Sequence, residues 1–457
     1  MLKKLHISTL SLIILFVLVI SGKILFEIDP LQPLEYKVYD YLLRLRQREA
    51  ATQVVVLAID NKSVQSIGSW PWPRSYIASM VRRLSGDGTH TMGLSLLYPS
   101  REINPGLEEI RFIKQSLPQR PSKAERKSLK EISDNLTEAL ERLDHDQQLI
   151  SAVRAARRVV LPLRFTLEDS PGIKPQPLSV WLDLNSMDPT SYSHNQPGLN
   201  PGDSLYRGIL KARKINVGGL IQPYEELSKK AGAIGHINVI AESDGVVRKM
   251  PLLINYQSRA FLSFALQVAR KYSGVNLKDI KAGSAGLDSK RLSIPTEKNH
   301  SMFIDFSGQS TNIRKISVLD VMNGKILPET FQRKVVLIGL TAEGVSPRYK
   351  IPLNSNASEV EIEANVVENI INGKFITPCL GLCPGDTGLT VFWIFSVVCD
   401  SPSHPPHWGF DHGHIFNHVA RCRRRPVRHQ RHLGKNSDTG YSFDRGFHTH
   451  QRQSTHS

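Results

Sequence analysis

Five apolar runs set the rhythm of the chain. Val54-Val55-Val56-Leu57-Ala58-Ile59 stops at Asp60, and Thr91 to Leu97, Arg158 to Leu163, Ala233 to Asn238 and Lys334 to Gly339 repeat the pattern. Short β-branched runs bounded by turn residues read as buried strands. Between the first two, polar Asn61 to Ser69 reads as a strand-to-turn segment. Pro73 then opens a helix over 74–85, because the fixed φ of proline suits a first helical turn. Strand, helix, strand in that order argues for parallel pairing. The predicted fold class is α/β, a mixed, largely parallel sheet with flanking helices. Residues 100–157 favour helix, with an apolar stripe at Leu149, Ile150 and Val153. Further helices are expected over Phe261 to Lys271 and Ser358 to Asn372, the latter closed by Gly373. Asp244-Gly245 is a tight-turn signal, so 233–254 reads as a hairpin. Residues 167–205, rich in Pro, Ser, Asn and Asp, read as a surface excursion. No repeat of fixed period is present.

The N-terminus changes the picture. Lys3 and Lys4 precede an almost wholly apolar run from Ile7 to Ile20. Such a run reads as a transmembrane helix whose lysine flank keeps that end cytoplasmic. The rival reading is a cleaved signal peptide, with Val19-Ile20-Ser21 as a poor cleavage site. Either way, the chain beyond this run is exported, and the membrane is an expected partner. Leu34, Val38, Leu42 and Leu45 then recur at helical spacing with charges between them, which predicts a juxtamembrane amphipathic helix. The expected domains are an anchor over 1–24, an extracytoplasmic body over 25–378 and an atypical tail over 379–457.

Composition separates the tail from the rest. All four cysteines, at 379, 383, 399 and 422, fall in it, so the body is expected to be held by its core and not by disulfides. The tail contains no Glu, one Lys (Lys435) and ten of the chain's 16 His. Lys and Glu are common everywhere before it. The break reads as a reading-frame slip. The tail is expected to be disordered, with residues 387–399 a partial membrane segment at most. The net charge of +16 is scattered and accompanies no nucleic-acid-binding motif, so no nucleic-acid partner is expected.

Candidate chemistry is sparse, and each candidate has an ordinary structural reading. Asp60 ends a strand where α/β proteins place ligand sites, or it caps the turn beyond it. Trp70-Pro71-Trp72-Pro73-Arg74 is a rigid aromatic turn, either a packing corner or a contact surface. Asp244 and Arg248 flank a turn, where turn chemistry and a surface cation are the plain explanation. The loop Gly339 to Gly344, which contains Thr341, follows a strand but lacks the Lys-Ser/Thr pair of a phosphate loop. His404, His407, His412, His414 and His418 form a tract able to bind metal adventitiously, but nothing predicts a rigid frame for it. No metal site and no cofactor is expected. No nucleophile elbow, kinase signature or zinc-protease motif occurs.

In order and spacing these segments resemble the CHASE type 2 sensor domain, an extracytoplasmic module of bacterial membrane receptors with cyclase, diguanylate cyclase or kinase outputs. The resemblance covers about 25–378. It is carried by Leu34 to Asp40, Val55 to Asp60, Trp70 to Arg74, Gly93, Gly235 to Asn238, Asp244 to Arg248, Pro251-Leu252, Val335 to Ala342 and Asn369 to Pro378. It implies a sensor without catalytic residues, expected here to be truncated before the output domain that family members carry. It also implies a signal that is an unidentified small molecule or envelope component, an inner-membrane location and room for a homodimer. Asp60, Trp70, Trp72, Arg74, Asp244, Arg248 and Thr341 become its candidate signal-binding or signature residues. Three positions depart from the family pattern: Ser95 and Pro347, where the family has Asp, and Glu363-Ala364, where it has His-Ala. The alternative is a fragment of a cyclase or kinase whose catalytic domain is missing.

Overall fold

The computed structural model describes residues 32–45, 53–118, 122, 125–167, 178–187, 217–257, 259–283, 286–297, 299–306 and 313–376. Seven strands form the main sheet: β1 (Val54–Ile59), β2 (Thr91–Ser95), β3 (Val159–Leu167), β4 (Val217–Ile221), β5 (Ala233–His236), β6 (Arg314–Ser317) and β7 (Val335–Leu340). Pairing runs β6–β1–β7–β2–β3–β5, parallel throughout, and β4 joins the second half of β3 antiparallel. The largely parallel α/β sheet expected from the runs is therefore present.

The principal helices are α1 (Gln32–Leu45), α2 (Asn61–Ile67), α3 (Arg74–Gly86), α4 (His145–Ala156), α5 (Phe264–Ser273) and α6 (Glu359–Asn372). Side chains alternate across a strand. Val55, Leu57 and Ile59 of β1 pack with Ile77, Val81 and Leu84 of α3 and with Leu149 and Val153 of α4. Val54, Val56 and Ala58 pack on the other face with α5 and α6. Both faces are covered, and so β1 reads in the sequence as an unbroken apolar run. Burial of each large side chain contributes about 1.5–3 kcal/mol.

Two motif glycines let helices approach the sheet. A Cβ on Gly235 would lie 2.8 Å from the backbone of Phe264 at the start of α5, and one on Gly339 would lie 2.6 Å from Val360 of α6.

Three expectations need correction. Residues 61–67 are a helix and not a strand-to-turn segment. The Asp60 side chain caps it by accepting from the Ser63 amide at 2.9 Å, so the polar composition marks a helix start. Residues 233–254 are not a hairpin. β5 pairs parallel with β3, while Lys249–Pro251 pairs antiparallel with Ser301–Phe303. The Asp244-Gly245 turn does form, with Gly245 at φ 76°, but a local turn signal does not say where the next strand docks. Finally, Phe261 lies in a strand, Arg259–Leu262, and α5 begins only after its cap, Ser263. Among the described residues no helix is long and apolar enough to cross a membrane. The Ile7–Ile20 run, the tail and residues 188–216 lie outside them.

Candidate functional site

Register brings a set of polar residues together at the carboxyl ends of three adjacent strands. Ala58 of β1 pairs with Ser317 of β6, and Ile59 pairs with Leu340 of β7, so Asp60 and Thr341 emerge side by side. Ligands of open α/β sheets bind outside these strand ends. A cleft of about 400 Å³ opens here, within the range of small-molecule sites.

Most of its charges are already engaged. Asp60 Oδ1 accepts from the Ser63 amide at 2.9 Å, the Ser63 hydroxyl at 2.6 Å and the Ser317 hydroxyl at 3.0 Å. Lys62 pairs with Asp320 at 2.7 Å, and Lys315 pairs with Glu361 at 2.7 Å. Glu361 also completes a capping box with Ser358 at the start of α6. Burial pushes the Glu361 carboxyl up, but Lys315 and the Ser358 donors outweigh it and hold the carboxyl below its ordinary value. Arg348 donates to the carbonyls of Thr341 and, at 3.3 Å, Asn356.

A second charged site is closed. Arg248 is 1% exposed, so it is not the surface cation that the turn suggested. Its Nε and Nη2 donate to the two carboxylate oxygens of Asp40 in α1, each at 2.8 Å. Its Nη1 and Nη2 donate to Asp244 at 3.0 and 2.7 Å. The Tyr36 ring of α1 lies 4.4 Å from the guanidinium, and the Tyr36 hydroxyl donates to Glu242 at 2.7 Å. Burial works against the charge on Arg248, but the two carboxylates prevail and raise its pKa. Arg248 in turn holds Asp244 below the usual carboxylate range. Two motifs far apart in sequence, Leu34–Asp40 and Asp244–Arg248, are thus one ion cluster.

The same helix reaches the other end of the described chain. Tyr39 packs on Phe303 at 5.6 Å and donates to the Ile304 carbonyl at 3.1 Å. Phe303 bridges antiparallel to Ile376, and Tyr39, Leu43, Phe303, Leu353 and Ile376 form one small apolar cluster.

The aromatic turn is a packing corner. Trp72 is 6% exposed, donates from its ring nitrogen to the Gly68 carbonyl at 2.7 Å, and meets Trp70 edge to face at 5.6 Å. The Trp70–Pro71 bond is cis. Arg74 bonds Asp146 of α4 and the Ser100 carbonyl, with its guanidinium 5.1 and 5.2 Å from the rings of Tyr98 and Tyr224. The seven candidate residues therefore fall in three places: Asp60 and Thr341 share the cleft, Asp244 and Arg248 the clasp, and Trp70, Trp72 and Arg74 the corner.

Sequence reading missed several residues. Lys315, Glu361 and Arg348 line the cleft from segments without a motif. Asp40 stood only within a longer resemblance. In α6 a buried acidic group also escaped notice. Glu359 takes both its hydrogen bonds from Arg164 of β3, at 2.6 and 2.7 Å, yet burial pushes its carboxyl up to about 7. Glu363, a departure from the family pattern, is 0% exposed with both oxygens unpartnered. Burial and the neighbouring Glu359 push its carboxyl far up, so it favours the neutral form. His236, at the end of β5, is buried with neither ring nitrogen bonded, and burial alone lowers its pKa to about 3. An acidic residue at the start of a helix looks like an ordinary dipole partner in sequence, which hid Glu359, while Glu363 was marked only as a departure from the family pattern. Among the described residues no group of three or more His, Cys, Asp or Glu is placed to hold a metal ion.

A largely parallel sheet covered by helices on both faces, with a charged cleft at its carboxyl edge, defines an α/β domain. The CHASE2 domain family matches residues 11–399, most of the chain, and the chain belongs to that family. CHASE2 domains are extracytoplasmic sensory modules of membrane receptors, and sensing is not a catalytic role. No curated protein and no solved structure matches the chain.

Proposed function

We propose that this chain is the membrane-anchored, extracytoplasmic sensor of a bacterial signal-transduction receptor in the inner membrane. A small polar signal enters the cleft at Asp60 and Thr341, and the body passes the change to the membrane through α1. The observation that carries this reading is the Arg248 clasp. It ties α1, which lies just beyond the apolar run Ile7–Ile20, to the body with a buried cation and two carboxylates. The Tyr39–Phe303–Ile376 cluster brings the last described residue to the same helix. A ligand shifts such an element only through its different affinity for two arrangements. A rigid clasp therefore suits transmission better than a flexible tether. A second copy of the chain is a fitting partner, because juxtamembrane helices can be moved against each other.

Topology tests the proposal. Alkaline phosphatase inserted after residue 200 of the full chain is expected to be active in a bacterial host. An inactive phosphatase, with an active cytoplasmic reporter at the same position, would overturn it.

A further inference from the structure

The cleft's charges can be sorted by what already holds them. Lys62 belongs to Asp320, Lys315 to Glu361, and Asp60 to the start of α2 and the Ser317 hydroxyl. Two lining charges have no such counterpart. Arg348 is held by the carbonyls of Thr341 and Asn356 and makes no ion pair among the described residues. Its Nε–H is buried with no acceptor. Glu343 uses its backbone amide on Asn61 at 2.8 Å, while its exposed carboxylate makes no ion pair among the described residues.

A guanidinium gripped by two carbonyls is oriented before any ligand arrives. Its positive charge, without an ion pair among the described residues, suits a carboxylate. Glu343 offers the opposite charge to the same cleft, and Asn61, Ser317 and Thr341 supply neutral polar atoms around them. Among the described residues no aromatic side chain lines the cleft, so they offer no face for stacking a planar ring. A molecule with only anionic groups would satisfy Arg348 but meet Glu343 and Asp60 unfavourably. A polycation would meet Arg348, Lys62 and Lys315.

The geometry points to a small zwitterion of the α-amino-acid class as the ligand of this cleft, its carboxylate on Arg348 and its ammonium group on Glu343. The inference rests on the reading of the cleft as the sensor's ligand site. It names which chemistry that site selects.

Calorimetric titration of the purified full chain in detergent, with the common L-amino acids tested singly, decides it. At least one is expected to bind. L-Alaninamide-type analogues without the carboxylate and N-acetyl analogues without the ammonium should each bind at least about tenfold more weakly, as the loss of one charge-assisted hydrogen bond implies. Arg348→Gln and Glu343→Gln should each weaken the zwitterion by a similar factor. Glu343→Gln is exposed and leaves the fold intact, which keeps the test valid even if Arg348→Gln unfolds. Succinate or inorganic phosphate binding as tightly as any amino acid, with loss in Arg348→Gln, would overturn the ligand class while keeping the cleft as a binding site. Amino-acid binding unchanged by both substitutions would overturn the cleft assignment itself. If no amino acid binds at millimolar concentration the ligand class falls, and the phosphatase experiment still judges the sensor reading separately.

Discussion

The clasp at Arg248 and the cleft at Asp60 are both clusters of arginine and carboxylates, yet they differ in saturation. In the clasp, four hydrogen bonds to two carboxylates and an aromatic face surround one guanidinium that solvent barely reaches. In the cleft, Arg348 donates to two carbonyls only, and among the described residues neither it nor the exposed Glu343 makes an ion pair. A saturated cluster has nothing to offer a ligand, and breaking it is expensive, so it transmits and stabilises. An unsaturated one is open to solvent and cheap to alter, so it can recognise. Residue type alone does not separate the two roles; the count of satisfied hydrogen bonds does.

The sharpest way to break that comparison is to remove each arginine in turn. Arg248→Met should destabilise the chain by about 4 kcal/mol, because Asp40 and Asp244 are left facing an apolar side chain. Arg348→Met should cost less, about 2–3 kcal/mol, since two hydrogen bonds to carbonyls are lost but no carboxylate is left without its partner. Urea unfolding of both variants checks this, and equal losses would erase the distinction.

The corner gives the next effect. Trp72→Ala should cost about 3–4 kcal/mol as a buried aromatic truncation. Asp60→Asn, which keeps an acceptor for the α2 cap, should cost about 1 kcal/mol. Thermal melts that reversed this order would move Asp60 from recognition to structure.

The smallest effect is pH-dependent and comes from α6. Glu359 has a folded pKa near 7, above the 4.5 of an ordinary glutamate, so the folded state binds more protons than the unfolded one between those values. Its contribution is full below about pH 4.5 and is lost as pH rises toward 7. Glu363 acts in the same direction. His236 acts oppositely: its folded pKa is lowered from 6.5 to about 3, so its contribution is full above pH 6.5 and is lost as pH falls toward 3. The test is therefore a difference. The stability of Glu359→Gln relative to the parent chain should rise between pH 4.5 and 7, and a flat difference would show that Glu359 titrates normally.

Much of the fold was legible because it is local. Runs such as Val54–Ile59 are buried on both faces, which leaves an apolar signature no other element imitates. Gly373 announced the end of α6 as a glycine cap. The hairpin misreading at 233–254 shows the limit. Asp244-Gly245 makes its turn regardless of the strand beyond it, but β5 finds β3 and the next strand finds Ser301–Phe303, partners distant in sequence. The helix at 61–67 was hidden because Asp60 could be read as a site residue or a cap, and it is a cap that also lines the cleft.

The sequence by itself determined the α/β class, five of the seven main-sheet strands and the family, because these depend on hydrophobic period, caps and motif spacing; Val217–Ile221 and Arg314–Ser317 went unread. It could not decide which charges meet. Asp40 joins Arg248 across 208 positions, and Lys315 joins Glu361 across 46. Arg348 reaches the cleft only because its strand folds back beside the ends of β1 and β7. Charge carries no period along a chain, and Coulomb and hydrogen-bond partners are set by sheet register and helix packing. Only the tertiary structure could tell the closed arginine from the open one.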